Sequence, residues 1–226
     1  MPVVELLTSS GLGSLLGMRH ALEPDHLAAV STLVSHERNG FRAAWLGVCW
    51  GVGHTLALVV VAVALIVLRA EMPAAAADLF ELLVAAMLIA LGLRAIVIAA
   101  RLPGGAGAHR HSHGFMVHTH GGAPHVHIGA WTLARRPLIV GAVHGLAGSG
   151  TLTALVLATL PTTAARLTYM ALFGIGSTLG MAIVSGLLGW PLARLGANQA
   201  VARTVSVTVG CVSTLLGVWW GIKIVR

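Results

Sequence analysis

The stretch "LGMRHALEPDHLAAV" (residues 16–30) carries the residue types that do chemistry. Arg19, His20, Glu23, Asp25 and His26 crowd into eight positions around Pro24. Further along, His54 and His144 each stand alone in apolar surroundings. Ionisable groups inside a membrane span are costly and mark functional sites by default. Imidazole suits nickel, cobalt, zinc and copper, and a carboxylate adds compensating charge. His20, Asp25, His26, His54 and His144 are therefore the expected ligands of a divalent transition-metal ion. No cluster of thiolates or methionines favours copper(I).

On a straight helix His20 and Asp25 differ by about 140°, and His20 and His26 by about 240°. They share no face, so their convergence needs a distortion at Pro24. Proline removes a backbone donor and deprives the His20 carbonyl of its usual partner. A broken or kinked first helix is expected, with irregular backbone that is tolerated at membrane depth only inside protein or beside a wet cavity.

Alternatives stand beside these assignments. A hydrogen-bond network bracing the kink would use His20, Asp25 and His26 structurally. His54 would be a buried histidine bonded to a carbonyl. Glu23 is either a ligand or the ion-pair partner of Arg19 four residues away. Thr55 and Ser149 are either donors to the ligand shell or hydroxyls satisfying helix backbone.

The elements that must position these groups are membrane spans. The 226 residues are 57% hydrophobic and only 9% charged, with a mean hydropathy of +0.88. Soluble domains carry roughly 25% charged residues. Six apolar segments lie near 3–34, 43–69, 77–100, 136–160, 165–191 and 199–224, each at least the roughly 20 residues a crossing helix needs, and the first is too long for one straight span. The fold class expected is an all-α integral membrane protein. The start of the chain lacks the basic region of a signal peptide, so the first segment counts as a span. Cys49 and Cys211 stand apart, form no metal knuckle, and are expected to be packing residues.

The formal charge of +7 comes from cations between apolar runs, where they set topology. Nucleic acid is not an expected partner; the lipid bilayer is. Arg38, Arg42, Arg94, Arg101, Arg110, Arg135, Arg136, Arg194 and Arg203 fall on one side, against Arg69, Arg166, Lys223 and Arg226 on the other. The positive-inside rule then places both termini outside and residues 101–135 in the cytoplasm. That stretch is glycine- and proline-broken and holds seven of the twelve histidines, namely His109, His111, His113, His118, His120, His125 and His127. It is expected to be a mobile loop that collects metal.

The two halves echo each other. Gly17 of "GMRHAL" aligns with Gly141 of "GAVHGL", Gly51 of "GVGHTL" with Gly174 of "GIGSTL", and Leu91 of "LGLRAI" with Leu216 of "LGVWWG". The offsets are 124, 123 and 125 residues. Three spans per unit invert the second unit relative to the first, an architecture common in secondary transporters, whose sites lie at broken helices between the repeats. The expected organisation is a three-helix unit at 1–100, the histidine-rich loop at 101–135, and a second three-helix unit at 136–226. The close-packing glycines Gly145, Gly148 and Gly150 fall in the second unit.

"RHALEPDH" resembles the H-x4-D-H signature of the nickel/cobalt transporter family, and "GVGHTLALVV" resembles that family's second motif. The histidine-rich stretch resembles the loops of related cobalt/nickel efflux proteins. The resemblance implies a metal-transport role for His20, Asp25, His26 and His54. The family's later L-G-x-D-T-A-T-E element is absent, and "VHGLAGSGTL" (Val143–Leu152) stands near its place. Six spans rather than the usual eight resemble the shorter urease- and hydrogenase-associated relatives. The implied function is secondary transport of Ni2+ or Co2+ across a prokaryotic-type cytoplasmic membrane, with import the expected direction and efflux the alternative. The metal is cargo, and no cofactor and no enzymatic activity are expected. Two other functions compete. "HALEPD" satisfies the bare H-x4-D pattern of membrane acyltransferases, in which an aspartate orients a histidine base. A membrane-docked metal sensor would use the loop and leave the intramembrane cluster structural.

Overall fold

In a computed structural model, residues 3–35, 37, 39–68, 72–101, 109–113, 116–120, 125–128, 131–160, 162–195 and 199–226 are described. Side chains are described for 12–35, 37, 39–68, 72–101, 134–147, 160, 162–191 and 200–226. The helices are α1 (Val3–His20), α2 (Pro24–Val34), α3 (Gly40–Leu68), α4 (Ala74–Arg101), α5 (Arg135–Thr159), α6 (Thr163–Leu195) and α7 (Gln199–Val225). Four described stretches are long and apolar enough to cross a bilayer: Gly40–Leu68, Ala74–Arg101, Thr163–Pro191 and Ala200–Val225. Their outward faces carry large apolar side chains such as Leu56, Val60, Val67, Leu187 and Leu215. On a water-soluble protein such faces would be an aggregation hazard; against acyl chains they are matched. The chain is a multi-pass membrane protein.

Of the two forms expected for the first apolar segment, broken or kinked, the structure has the broken one: α1 stops at His20 and α2 starts at Pro24. Glu23 is extended, with ψ at 148°, as the residue before a proline prefers. Pro24 opens α2, where its missing N–H leaves no helical bond unmade. The His20 carbonyl, expected to lose its partner, accepts the Glu23 N–H at 3.0 Å, and the Arg19 carbonyl accepts that of Leu22 at 2.9 Å. These tightened bonds close α1, so the break leaves those two carbonyls satisfied.

The expected loop at 101–135 also differs. It holds two short antiparallel hairpins, β1 (His109–His113) with β2 (Met116–His120) and β3 (His125–Ile128) with β4 (Trp131–Ala134). The register sets His109 opposite His120 and His111 opposite His118. Alternation of histidine with other residues is a period-two pattern, which suits a strand.

Helix α3 packs along both α5 and α6, α1 along α6, and α4 along α7. Glycines bring these helices to backbone contact. A Cβ on Gly17 would meet the Phe173 carbonyl, and one on Gly141 the Trp50 carbonyl. Gly53 lies against the Leu138 carbonyl and Gly176 against that of Ser14. Gly51 faces Thr178, while Gly174 faces Thr55. In each pair both partners shift by 123 or 124 residues to give the other pair. Side-chain bonds join residues at similar offsets: Thr55 Oγ1 and Thr178 Oγ1, 123 apart in sequence, lie 3.2 Å apart, and the Ser213 hydroxyl donates to the carbonyl of Leu88, 125 residues away, at 2.9 Å.

Candidate metal centre

The break in the first segment delivers three of the expected ligands. His20 is the last residue of α1, and Asp25 and His26 lie in the first turn of α2. His54 projects from α3 and His144 from α5. All five are buried, His54 completely. Ring centroids are 4.4 Å apart for His20 and His26, 4.0 Å for His26 and His144, and 5.2 Å for His20 and His54. His54 also lies 5.4 Å from His26 and 6.3 Å from His144. The structure brings all five sequence-predicted residues into one cluster.

Hydrogen bonds fix which ring nitrogens are available. Asp25 Oδ1 accepts from the His26 backbone N–H at 2.9 Å and contacts His26 Nδ1 at 3.1 Å. Asp25 Oδ2 lies 2.8 Å from His144 Nε2. A carboxylate only accepts, so those two ring nitrogens carry the protons. This leaves lone pairs on His26 Nε2 and His144 Nδ1. His20 Nδ1 is 3.0 Å from Glu23 Oε1, which by the same logic leaves His20 Nε2 as a lone pair. Carboxylates orienting imidazoles in this way are the usual outer shell of a metal site.

Among the described residues, His20 Nε2, His26 Nε2, both nitrogens of His54 and His144 Nδ1 are buried with no hydrogen-bond partner. Buried polar atoms are normally satisfied, so these nitrogens, like Trp50 Nε1, Ser177 Oγ and Ser185 Oγ, are open to an ion or a water. Among the described residues His54 has no carbonyl partner, which counts against the alternative offered for it. Donor atoms of His20, His26 and His54 lie within 4.8 Å of one another, as do those of Asp25, His26 and His144. Ligands about 2 Å from a tetrahedral metal sit about 3.4 Å apart. Small side-chain adjustments would bring the first set to that spacing, whereas the second must also give up the protons that His26 and His144 direct at Asp25.

Several secondary expectations resolve differently. Glu23 contacts His20, not Arg19. Thr55 donates to the Gly174 carbonyl at 3.0 Å and meets Thr178, clasping α3 to α6. The side chains of Ser149 and of the seven loop histidines lie outside the described residues. The acyltransferase pattern requires Asp25 to orient His20, yet Asp25 engages His26 and His144. Two site residues were missed. Trp50 packs on His26 at 5.5 Å and on His144 at 5.7 Å, and Phe173 packs on His20 at 5.4 Å. The offset of 123 that aligns Gly51 with Gly174 also carries Trp50 onto Phe173, and it was the available signal.

A multi-pass membrane protein with five side chains of metal-ligating type gathered at a helix break points to a class of protein that handles metal ions. The chain belongs to the high-affinity nickel-transport protein family (NicO), which matches residues 6–222. It is also 31% identical over 218 residues to the urease accessory protein UreH of Bacillus sp. (strain TB-90), covering 96% of this chain and 92% of that protein. No solved structure matches.

Proposed function

We propose that this protein is a secondary transporter that moves Ni2+, and Co2+ as an alternative cargo, through the His20, Asp25, His26, His54 and His144 cluster. The observation that carries this reading is the set of unpartnered imidazole nitrogens on His20, His26 and His54, buried beside a carboxylate. Neutral imidazoles and one carboxylate replace the ion's water and still release it, as a transporter requires. The membrane is a prokaryotic-type cytoplasmic membrane, with both termini outside, residues 101–135 inside, and import as the direction. UreH's name links that relative to urease, a setting that favours import.

The architecture we propose is six spans in two inverted units, 1–100 and 136–226. In support, the glycine contacts recur reciprocally at offsets of 123 to 125 residues. The broken α1–α2 segment and the continuous helix α5 take corresponding places in the two units, and discontinuous helices line the sites of such transporters. The intervening hairpins supply histidines that collect metal.

The test is nickel, cobalt, zinc and magnesium entry into liposomes containing the purified protein and a metal-quenched dye. Wild type is compared with His20→Ala, Asp25→Ala and His54→Ala. Nickel or cobalt flux lost in all three folded variants supports the reading. Flux retained in all three makes the cluster structural.

A further inference from the structure

The five-residue cluster contains two donor sets, not one. His20, His26 and His54 form the first, and Asp25, His26 and His144 the second. His26 alone is common to both. Its ring touches His20 at 4.4 Å and His144 at 4.0 Å, whereas among the described residues no ring contact or hydrogen bond joins His20 to His144. Each outer histidine has its own aromatic neighbour, Phe173 for His20 and Trp50 for His144. These are repeat equivalents: His20 and His144 are 124 residues apart, Trp50 and Phe173 are 123.

The sets also differ in what they tie together. All donors of the first come from α1, α2 and α3, in the first half of the chain. The second adds His144 from α5, in the other half. The second set comes apart when α5 shifts away from α2, while the donors of the first set stay in place. An ion held by all five groups at once would be hard to release, whereas passage needs sites that bind well enough to fill and weakly enough to empty.

We propose that the ion occupies two overlapping stations in turn, with His26 as the shared ligand that hands it from one to the other. The first station is His20, His26 and His54. The second is Asp25, His26 and His144, where the ion takes the place of the protons that His26 Nδ1 and His144 Nε2 direct at Asp25 and each ring's proton moves to its other nitrogen. This rests on the cluster being the ion site. His144 therefore acts on transfer, not on first capture.

The experiment uses the purified full-length protein. Equilibrium binding of Co2+ is followed by its visible absorption, which reports coordination, and Ni2+ flux is measured in liposomes. His144→Gln is expected to leave the Co2+ spectrum and affinity within about 3-fold of wild type while flux falls at least about 10-fold, the scale seen when metal-site groups are altered. His54→Gln is expected to weaken binding and change the spectrum. His26→Gln is expected to lose both binding and flux. Parallel losses of affinity and flux in His144→Gln, with an altered spectrum, would make the cluster a single site and overturn the two stations. Unchanged flux in that variant would overturn them as well. Wild-type binding and flux in His26→Gln would instead overturn the ion-site reading itself. If His144→Gln does not elute as a single species on gel filtration, His144→Asn takes its place with the same outcomes.

Discussion

Asp25 Oδ2 and His144 Nε2 meet at 2.8 Å, joining residues 119 positions apart in the chain. The other oxygen of the same carboxylate engages His26. One acidic side chain thus sets the ring orientation of two histidines from different helices. Asp25→Asn keeps the shape but replaces one acceptor by an amide donor, which faces a ring N–H and forces that ring to change tautomer or turn away. Nickel flux into liposomes is expected to fall by about 10- to 100-fold, the usual effect of losing such an orienting partner, with the protein remaining folded. Flux equal to wild type would mean that ring orientation does not matter.

The glycine contacts predict where a single methyl is not tolerated. Gly17→Ala and Gly141→Ala each push a Cβ into a carbonyl of the facing helix. Overpacking of this kind typically costs about 1–3 kcal/mol. Gly221→Ala is the control, since its Cβ would sit 3.7 Å from the nearest atom, on Ala85. Thermal unfolding in detergent should rank both buried-contact variants below wild type and leave Gly221→Ala unchanged.

The Thr55–Thr178 contact at 3.2 Å predicts a cross-link. With Cys49 and Cys211 replaced by serine, Thr55→Cys and Thr178→Cys together should form a disulfide on mild oxidation, because their side chains already meet at the α3–α6 seam. A protease site inserted between residues 121 and 124 makes the bond visible, as the two fragments stay together until reduced. Fragments that separate without reductant would place the two helices differently.

Deleting residues 109–127 removes all seven loop histidines. Nickel movement at saturating metal is expected to persist, since the donors of the intramembrane cluster lie elsewhere. At limiting metal it is expected to drop. Complete loss at every concentration would assign the function to the loop.

Much of the site was legible because its residues are chemically rare in their setting. Two histidines and two acids inside an apolar segment stand out on cost alone, and the repeat offset singled out His144 by aligning it with His20. What the sequence did not reveal was geometry between elements. Proline guaranteed an interruption after His20, but whether the helix bends or restarts depends on the residues it packs against, and α1 and α2 have different neighbours. The restart is also what brings Glu23 to His20 rather than to Arg19. Trp50 and Phe173 went unnoticed because aromatic residues in an apolar span look like ordinary packing. The hairpins were hidden by glycine and proline, although the histidine alternation in "HRHSH" and "HVHI" already had the period of a strand.

The three-residue break at Ala21–Glu23 has one more consequence. His20 and His26 stand on either side of a joint, at the end of one arm and the start of the next. An ion bridging them fixes the angle between the arms, and by thermodynamic reciprocity that angle sets how firmly the ion is held. In the transporter proposed above, the joint would work as a caliper. Ions that draw their donors to different spans would hold the arms at different openings, so choice among metals would be expressed first as a shape of the protein and only then as a speed of passage.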